Sequence, residues 1–278
     1  IVSRHIKDWL RNIPELDHWH VGISHTTIDC FKHLNRRIDM DATVFMGQMA
    51  AALQPHRAAS QYAALWHEVA DRARRLHDAY VAAAPWSDLK AMAGIFARLP
   101  RRCNLHLSNG TPIRYAQLLN HPRIHRSECN RGVSGIDGCT STALGASVYY
   151  LDSTLLISGD MSFQYDLAAL SSTLMTPRFK MIVICNGGGG IFRFIPATSS
   201  LPETERYFAV GTRLPLRDLC NGYGIAFFEA DSDESLAESM QAMLAVTDRP
   251  ALLAVHTPPE ISALTLKNYF THPTAGKV

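Results

Sequence analysis

Ser158-Gly159-Asp160-Met161-Ser162 and Asn186-Gly187-Gly188-Gly189-Gly190-Ile191-Phe192 bound the stretch that decides the fold. Each follows a strand-like run. Thr154–Ser158 and Lys180–Cys185 are apolar, β-branched runs of the length expected for buried parallel strands, and residues of about 165–175 carry apolar side chains at helical spacing. That is one βαβ unit. Both strands of such a unit end at the same edge of the sheet. Asp160 and Asn186, 26 positions apart in sequence, therefore arrive side by side in the crevice where open α/β sheets bind ligands.

A carboxylate, an amide oxygen and a backbone carbonyl from the glycine run form a hard, all-oxygen donor set. Such a set leaves positions of an octahedral Mg²⁺ open for phosphate oxygens and water, and Mn²⁺ suits the same donors. The glycines let the main chain approach ion and phosphate through backbone angles that a Cβ would forbid. Gly159-Asp160 alone reads as a strand-end turn, and a glycine run alone as a flexible loop. Four consecutive glycines between a buried strand and an Ile-Phe pair, at this distance from an aspartate, go beyond that reading.

Composition narrows the class without naming a function. The 278 residues are 47% hydrophobic and 19% charged with a formal net charge of +2, ordinary values for one large or two medium globular domains. Basic residues are spread along the chain and carry no nucleic-acid or membrane signal. Apolar runs are too short to span a bilayer, and no signal peptide is recognisable. Six cysteines at 30, 103, 129, 139, 185 and 220 form no C-x-x-C pair, which favours reduced thiols in a cytoplasmic protein over disulfides or zinc. The chain opens on Ile1-Val2 and reads as a fragment.

Along the chain, residues 3–12 read as a helix, 18–23 as a strand and 43–46 as a second strand, about half of a small α/β domain. Residues 61–84 form a long helix closed by Pro85, a connector whose Arg72, Arg74 and Arg75 read as a solvated face. This places the domain boundary at 84/85. Beyond it βα alternation is regular: helix 88–98, strand 104–108, helix 112–119, strand 126–129, the central unit, helix 215–222, strand 225–229, helix 234–246 and strand 251–255. The fold expected is α/β, a doubly wound parallel sheet preceded by part of a second α/β domain.

Two further loops sit at strand ends. Asn130-Arg131-Gly132-Val133-Ser134-Gly135-Ile136-Asp137-Gly138 feeds the N-terminus of a helix at 140–149, where free N–H groups attract an anion, and Arg131 adds a fork for a carboxylate or phosphate. Asp137 as a helix cap explains the glycines but not the arginine. Asn109-Gly110-Thr111-Pro112-Ile113-Arg114 puts a cation in the first turn of a helix, against the dipole. An anionic ligand or a surface salt bridge explains it equally.

The Gly-Asp and Asn spacing resembles the diphosphate-binding signature of thiamine diphosphate enzymes. That resemblance makes Asp160, the side chain of Asn186 and the carbonyl of Gly188 the metal ligands. Met161 replaces a frequent glycine, and Cys185 stands where an Asn is common. Together, Asn130 to Gly138, Gly159-Asp160-Met161-Ser162 with Tyr165-Asp166, and Gly188 to Phe192 with Pro196 resemble the 2-succinyl-5-enolpyruvyl-6-hydroxy-3-cyclohexene-1-carboxylate synthase family. The likeness is firm from Asn109 to Pro196. Ser3-Arg4 is similar to a basic pair in that family's middle domain, with His5 at an often basic position.

The resemblance implies a transferase of menaquinone biosynthesis that decarboxylates 2-oxoglutarate and adds the succinyl-semialdehyde carbanion to isochorismate. Both substrates are dicarboxylates, which suits Arg131, Arg114 and Arg4. Phe192 and Ile195, with Ile191, would wall the pocket against water. Ser134, Gly135, Gly159, Asp160, Met161, Ser162, Asn186, Gly188, Gly189 and Ile191 fall to the cofactor, and Ile136 to the wedge that bends it. The glutamate that activates the aminopyrimidine lies, in this superfamily, on a separate N-terminal domain supplied by a partner subunit of a homodimer or homotetramer. No stretch here resembles that domain, so the chain alone is expected to be inactive. An acetolactate synthase-like enzyme and a non-catalytic cofactor-binding module are the alternatives; the Arg131 to Gly138 loop argues against the first.

Overall fold

The structure is a computed structural model that describes residues 4–24, 28–54, 60–119, 126–211 and 213–271. It divides into two compact units, residues 1–66 and 67–278.

The first unit holds helix α1 (Arg4–Arg11), two parallel strands, β1 (His18–Val21) and β2 (Leu34–Ile38), and helix α2 (Ala42–Leu53). Ser3 lies outside the described residues. The strand expected at 43–46 is instead the first turn of α2. The Asp41 carboxylate accepts the N–H groups of Thr43 at 2.9 Å and Val44 at 3.1 Å, an N-cap worth about 1 kcal/mol. The Ala50-Ala51-Ala52 run that follows favours helix, and these local terms outweigh the β preference of Thr43-Val44-Phe45. The partner of β1 is β2, whose exposed centre, Asn35-Arg36-Arg37, shows no strand pattern. Arg36 stacks over the Trp19 ring at 4.6 Å.

Helix α3 (Tyr62–Ala83) runs into the second unit and is followed by α4 (Asp88–Ala97), β3 (Asn104–Leu107), α5 (Thr111–Leu118), β4 (Ser127–Cys129), α6 (Cys139–Ser147) and β5 (Thr154–Gly159). Then come α7 (Asp160–Gln164), β6 (Phe179–Cys185), α8 (Pro196–Ser199), α9 (Leu216–Gly222), β7 (Ala226–Ala230), α10 (Asp233–Ala245), β8 (Ala251–His256) and α11 (Pro259–Thr271). The compact division falls near the start of α3, because its far end belongs to the second unit: Tyr80 donates to the Thr265 carbonyl at 2.7 Å. Arg72, Arg74 and Arg75 are exposed.

Six parallel strands form one sheet in the order β4-β3-β5-β6-β8-β7. Alternate residues of the central strands feed two separate cores. Leu155, Ile157, Ile182 and Leu253 pack with Leu89 and Ile95 of α4 on one face. Leu156, Met181, Val183 and Leu252 pack with Phe163 and Ala143 on the other. Continuous apolar strands follow from this double coverage, since neither face meets water. The sheet is therefore doubly wound.

Where a helix over about 165–175 is expected, α7 ends at Gln164 and a short 3-10 turn covers Leu167–Ser171. Asp166 interrupts. Its carboxylate accepts the Ser141 N–H and hydroxyl, both at 2.6 Å, and so caps α6 from 25 residues away, with backbone angles outside the helical region. Helix α11, beginning at Pro259, has no counterpart in the sequence reading; Ser262, Thr265 and Leu266 are its buried positions.

The six cysteines are free thiols. Burial pushes those of Cys103 and Cys129 up to about 11 and those of Cys185 and Cys220 up to about 12. Among the described residues no helix is long and apolar enough to cross a membrane.

Candidate metal and diphosphate site

Strands β5 and β6 are direct neighbours, with Gly159 opposite Ile184. Asp160 and Asn186 accordingly leave adjacent strands at the same C-terminal edge. Asp160 opens α7 and is buried, 4% exposed. Its Oδ2 accepts the N–H groups of Gly187 and Gly188, each at 3.0 Å, and its Oδ1 that of Met161 at 2.7 Å. The glycine run is thus folded onto the carboxylate that the sequence pairs it with.

That run is packed. Gly188 has φ of +106°, and a Cβ there would stand 2.3 Å from the Ala209 carbonyl oxygen and 2.6 Å from that of Val210. Gly189 donates its N–H to the Ala209 carbonyl at 2.6 Å. Arg193 straps the loop from outside, donating to the carbonyls of Asn186 at 3.2 Å and Gly187 at 3.0 Å while its other edge pairs with Glu205 at 2.9 Å. That arginine lowers the carboxyl pKa of Glu205.

Asn186 is 3% exposed. Its Nδ2 donates to Asp88 Oδ2 at 2.7 Å, while its Oδ1 is buried with no hydrogen-bond partner among the described residues. A buried acceptor left without a donor costs about 1–3 kcal/mol, and a cation removes that cost. The Gly188 carbonyl accepts the Gly190 N–H at 2.8 Å and keeps a second lone pair. One carboxylate, one orphaned amide oxygen and one main-chain oxygen fit Mg²⁺ or Mn²⁺ by donor type, with the glycine run leaving no side chains in the way.

The loop after β4 is gathered to the same place by Asn109. The Asn109 amide donates to the carbonyls of Asn130 at 2.7 Å and Gly135 at 2.6 Å and accepts from Arg131 Nη1 at 2.8 Å. Ser162 donates to the Ile136 carbonyl at 2.5 Å, which ties the loop to α7 beside Asp160. Ser134 sits at φ of +60°, a conformation uncommon outside glycine. Gly138, not Asp137, occupies the cap position of α6.

Arg114 stands in α5 with its pKa lowered by burial and by the neighbouring charge of Arg131. Ile191, Phe192 and Ile195 are half-buried, and Phe192 packs on Phe208 with ring centroids 5.7 Å apart. Arg4 and His5 stand in the first turn of α1, in the first unit.

No family model matches the chain. Over 279 aligned residues it is 39% identical to the 2-succinyl-5-enolpyruvyl-6-hydroxy-3-cyclohexene-1-carboxylate synthase of Porphyromonas gingivalis, covering 98% of this chain and 48% of that protein. The synthases of the same name from Christiangramia forsetii and Flavobacterium psychrophilum are each 36% identical, covering 97% and 99% of this chain and 46% and 49% of theirs. The chain is a relative of these synthases. It spans about half the length of the curated relatives it matches.

In this synthase relative the three stretches that carry the resemblance meet at one sheet edge. Sequence reasoning missed Asp88 and Arg193, and missed the holding roles of Asn109 and Asp166, which it names only as parts of motifs. Each acts on a residue more than five positions away, so no local spacing announces it. Beside the edge opens a cavity of about 350 Å³ that shares Asp160 and Gly187 with the site. On its wall Glu229 pairs with Arg217 and lies 3.5 Å from the His256 ring.

Proposed function

We propose that the chain provides the diphosphate and metal half of a thiamine diphosphate-dependent 2-succinyl-5-enolpyruvyl-6-hydroxy-3-cyclohexene-1-carboxylate synthase. The reaction decarboxylates 2-oxoglutarate and transfers the remaining four-carbon unit to isochorismate, within menaquinone biosynthesis. When bound, thiamine diphosphate supplies the electron sink for the decarboxylation. The observation that carries the reading is the orphaned Oδ1 of buried Asn186 beside the Asp160 carboxylate.

In this reading Asp160, Asn186 Oδ1 and the Gly188 carbonyl hold Mg²⁺ or Mn²⁺. Ser134, Gly135, Gly159, Met161, Ser162 and Gly189 surround the diphosphate, with Ile136 and Ile191 against the rest of the cofactor. Arg131 and Arg114 bind substrate carboxylates, and Arg4 is assigned the same role. Phe192 and Ile195 keep water from the reacting carbon. Activation of the aminopyrimidine falls to a glutamate outside the residues gathered here, contributed within a cytoplasmic homodimer or homotetramer.

Calorimetric titration with thiamine diphosphate, with and without Mg²⁺, tests the assignment alongside a CO₂-release assay on 2-oxoglutarate. Weak, strictly Mg²⁺-dependent cofactor binding without turnover is expected of this chain alone. Binding that ignores Mg²⁺, or robust turnover, would show that the machinery has been misplaced.

A further inference from the structure

Asp88 is a buried carboxylate, 1% exposed, to which neither the sequence pattern nor the proposed reaction gives a part. It is the first residue of α4, and three other elements converge on it. Asn186, just past β6, donates Nδ2 to its Oδ2 at 2.7 Å. Thr257, just past β8, donates its hydroxyl to Oδ1 at 2.6 Å. Ser262 of α11 donates to Oδ1 at 3.2 Å and accepts the Asp88 N–H at 2.9 Å. Every group that faces the carboxylate here is a donor.

An asparagine amide can be turned either way, and its neighbours decide which end points where. As a carboxylate, Asp88 presents only acceptor oxygens to Asn186, so the NH₂ end faces it and Oδ1 faces away, where no donor among the described residues meets it. The space is cut to fit: a Cβ on Gly190 would come within 2.8 Å of Asn186 Nδ2. We infer that Asp88 is the positioning residue of the metal site, holding the Asn186 amide so that Oδ1 is presented to the cation. This rests on the diphosphate-site reading above and deepens it.

The geometry makes a coupling claim. Asp88 acts on metal affinity through Asn186 alone, so the two residues should be non-additive in a double-mutant cycle. The measurement is Mn²⁺ affinity with thiamine diphosphate present, followed by the paramagnetic resonance signal of free Mn²⁺, with thermal melts run on the same samples. Asp88→Asn is expected to raise the Mn²⁺ dissociation constant about tenfold, as loss of an outer-sphere partner to a metal ligand commonly does. Asn186→Ala should raise it by at least as much, and the double variant should match Asn186→Ala within about twofold.

Unchanged affinity in Asp88→Asn, or an effect that persists in full on the Asn186→Ala background, would overturn the inference while leaving the metal site standing. Unchanged affinity in Asn186→Ala would overturn the metal-site reading itself. Should Asp88→Asn fail to fold, Gly190→Ala displaces the same amide by crowding its Nδ2. It is expected to give the same loss and the same non-additivity, and normal Mn²⁺ affinity in that variant would overturn the inference.

Discussion

Arg131 Nη1 lies 2.8 Å from Asn109 Oδ1, a bond that joins the segment after β3 to the loop after β4. The other end of the Asn109 amide holds the carbonyls of Asn130 and Gly135. Position of the loop and aim of the guanidinium are therefore set by one side chain.

If Arg131 receives a substrate carboxylate, Arg131→Ala should lower kcat/KM for a dicarboxylate substrate in the assembled enzyme by about 10- to 150-fold, the equivalent of ~1.5–3 kcal/mol. Asn109→Ala keeps the charge but frees the loop, so it should lower both the melting temperature and kcat/KM. Steady-state kinetics with varied 2-oxoglutarate checks this, and unaltered kinetics in both variants would remove Arg131 from the substrate site.

Asp166 caps α6 through two hydrogen bonds to Ser141 while itself 9% exposed. Asp166→Ala should cost ~1–2 kcal/mol of unfolding free energy, read as a lower urea midpoint with unchanged slope. Asp166→Asn, which keeps one acceptor, should lose less.

How far these features were legible follows from the range over which each is determined. Thr154–Ser158 and Lys180–Cys185 announce themselves because a strand buried on both faces has an unbroken apolar centre, here Leu155-Leu156-Ile157 and Met181-Ile182-Val183-Ile184, and the parallel unit they imply puts Asp160 beside Asn186. Thr43-Val44-Phe45-Met46 misleads because its β-branched start gives no sign of how strongly Asp41 caps the turn behind it. Leu34–Ile38 is hidden because its three central residues are polar and exposed on both faces, leaving no apolar alternation to read. The roles of Asp88 and Asp166 are silent in sequence, although Tyr165-Asp166 belongs to the motif that carries the resemblance, since their partners arrive only when the sheet has closed. An acid at a helix start looks like a capping residue until Asn186 is found against it.

Gly188 and Gly145 form a matched pair of substitutions. At Gly188, with φ of +106° and two carbonyl oxygens within 2.6 Å of a new Cβ, alanine should lower the melting temperature and weaken Mn²⁺ binding. At Gly145, inside α6 with nothing within 4 Å, alanine should be neutral or add ~0.5–1 kcal/mol. Equal melting temperatures for the two variants would show the glycine run to be slack.

His106 is 5% exposed on β3, with Asn104 Nδ2 2.9 Å from its Nε2, an arrangement suited to a neutral ring that accepts. Burial lowers its pKa below the usual 6.5; nearby Glu128 opposes the shift and Arg126 adds to it. The unfolded chain then binds the extra proton, so stability is complete above 6.5 and falls as pH drops from 6.5 toward the folded-state value. His106→Gln should flatten the melting temperature over that window. A slope unchanged by the substitution would assign the acid sensitivity elsewhere.

The shared metal site is tested most directly by anomalous scattering from crystals grown with Mn²⁺ and thiamine diphosphate. One peak is expected, about 2.1–2.2 Å from a carboxylate oxygen of Asp160, from Asn186 Oδ1 and from the Gly188 carbonyl oxygen, with phosphate or water completing an octahedron. Cofactor density with its Mn²⁺ peak away from Asp160 and Asn186 would contradict the account.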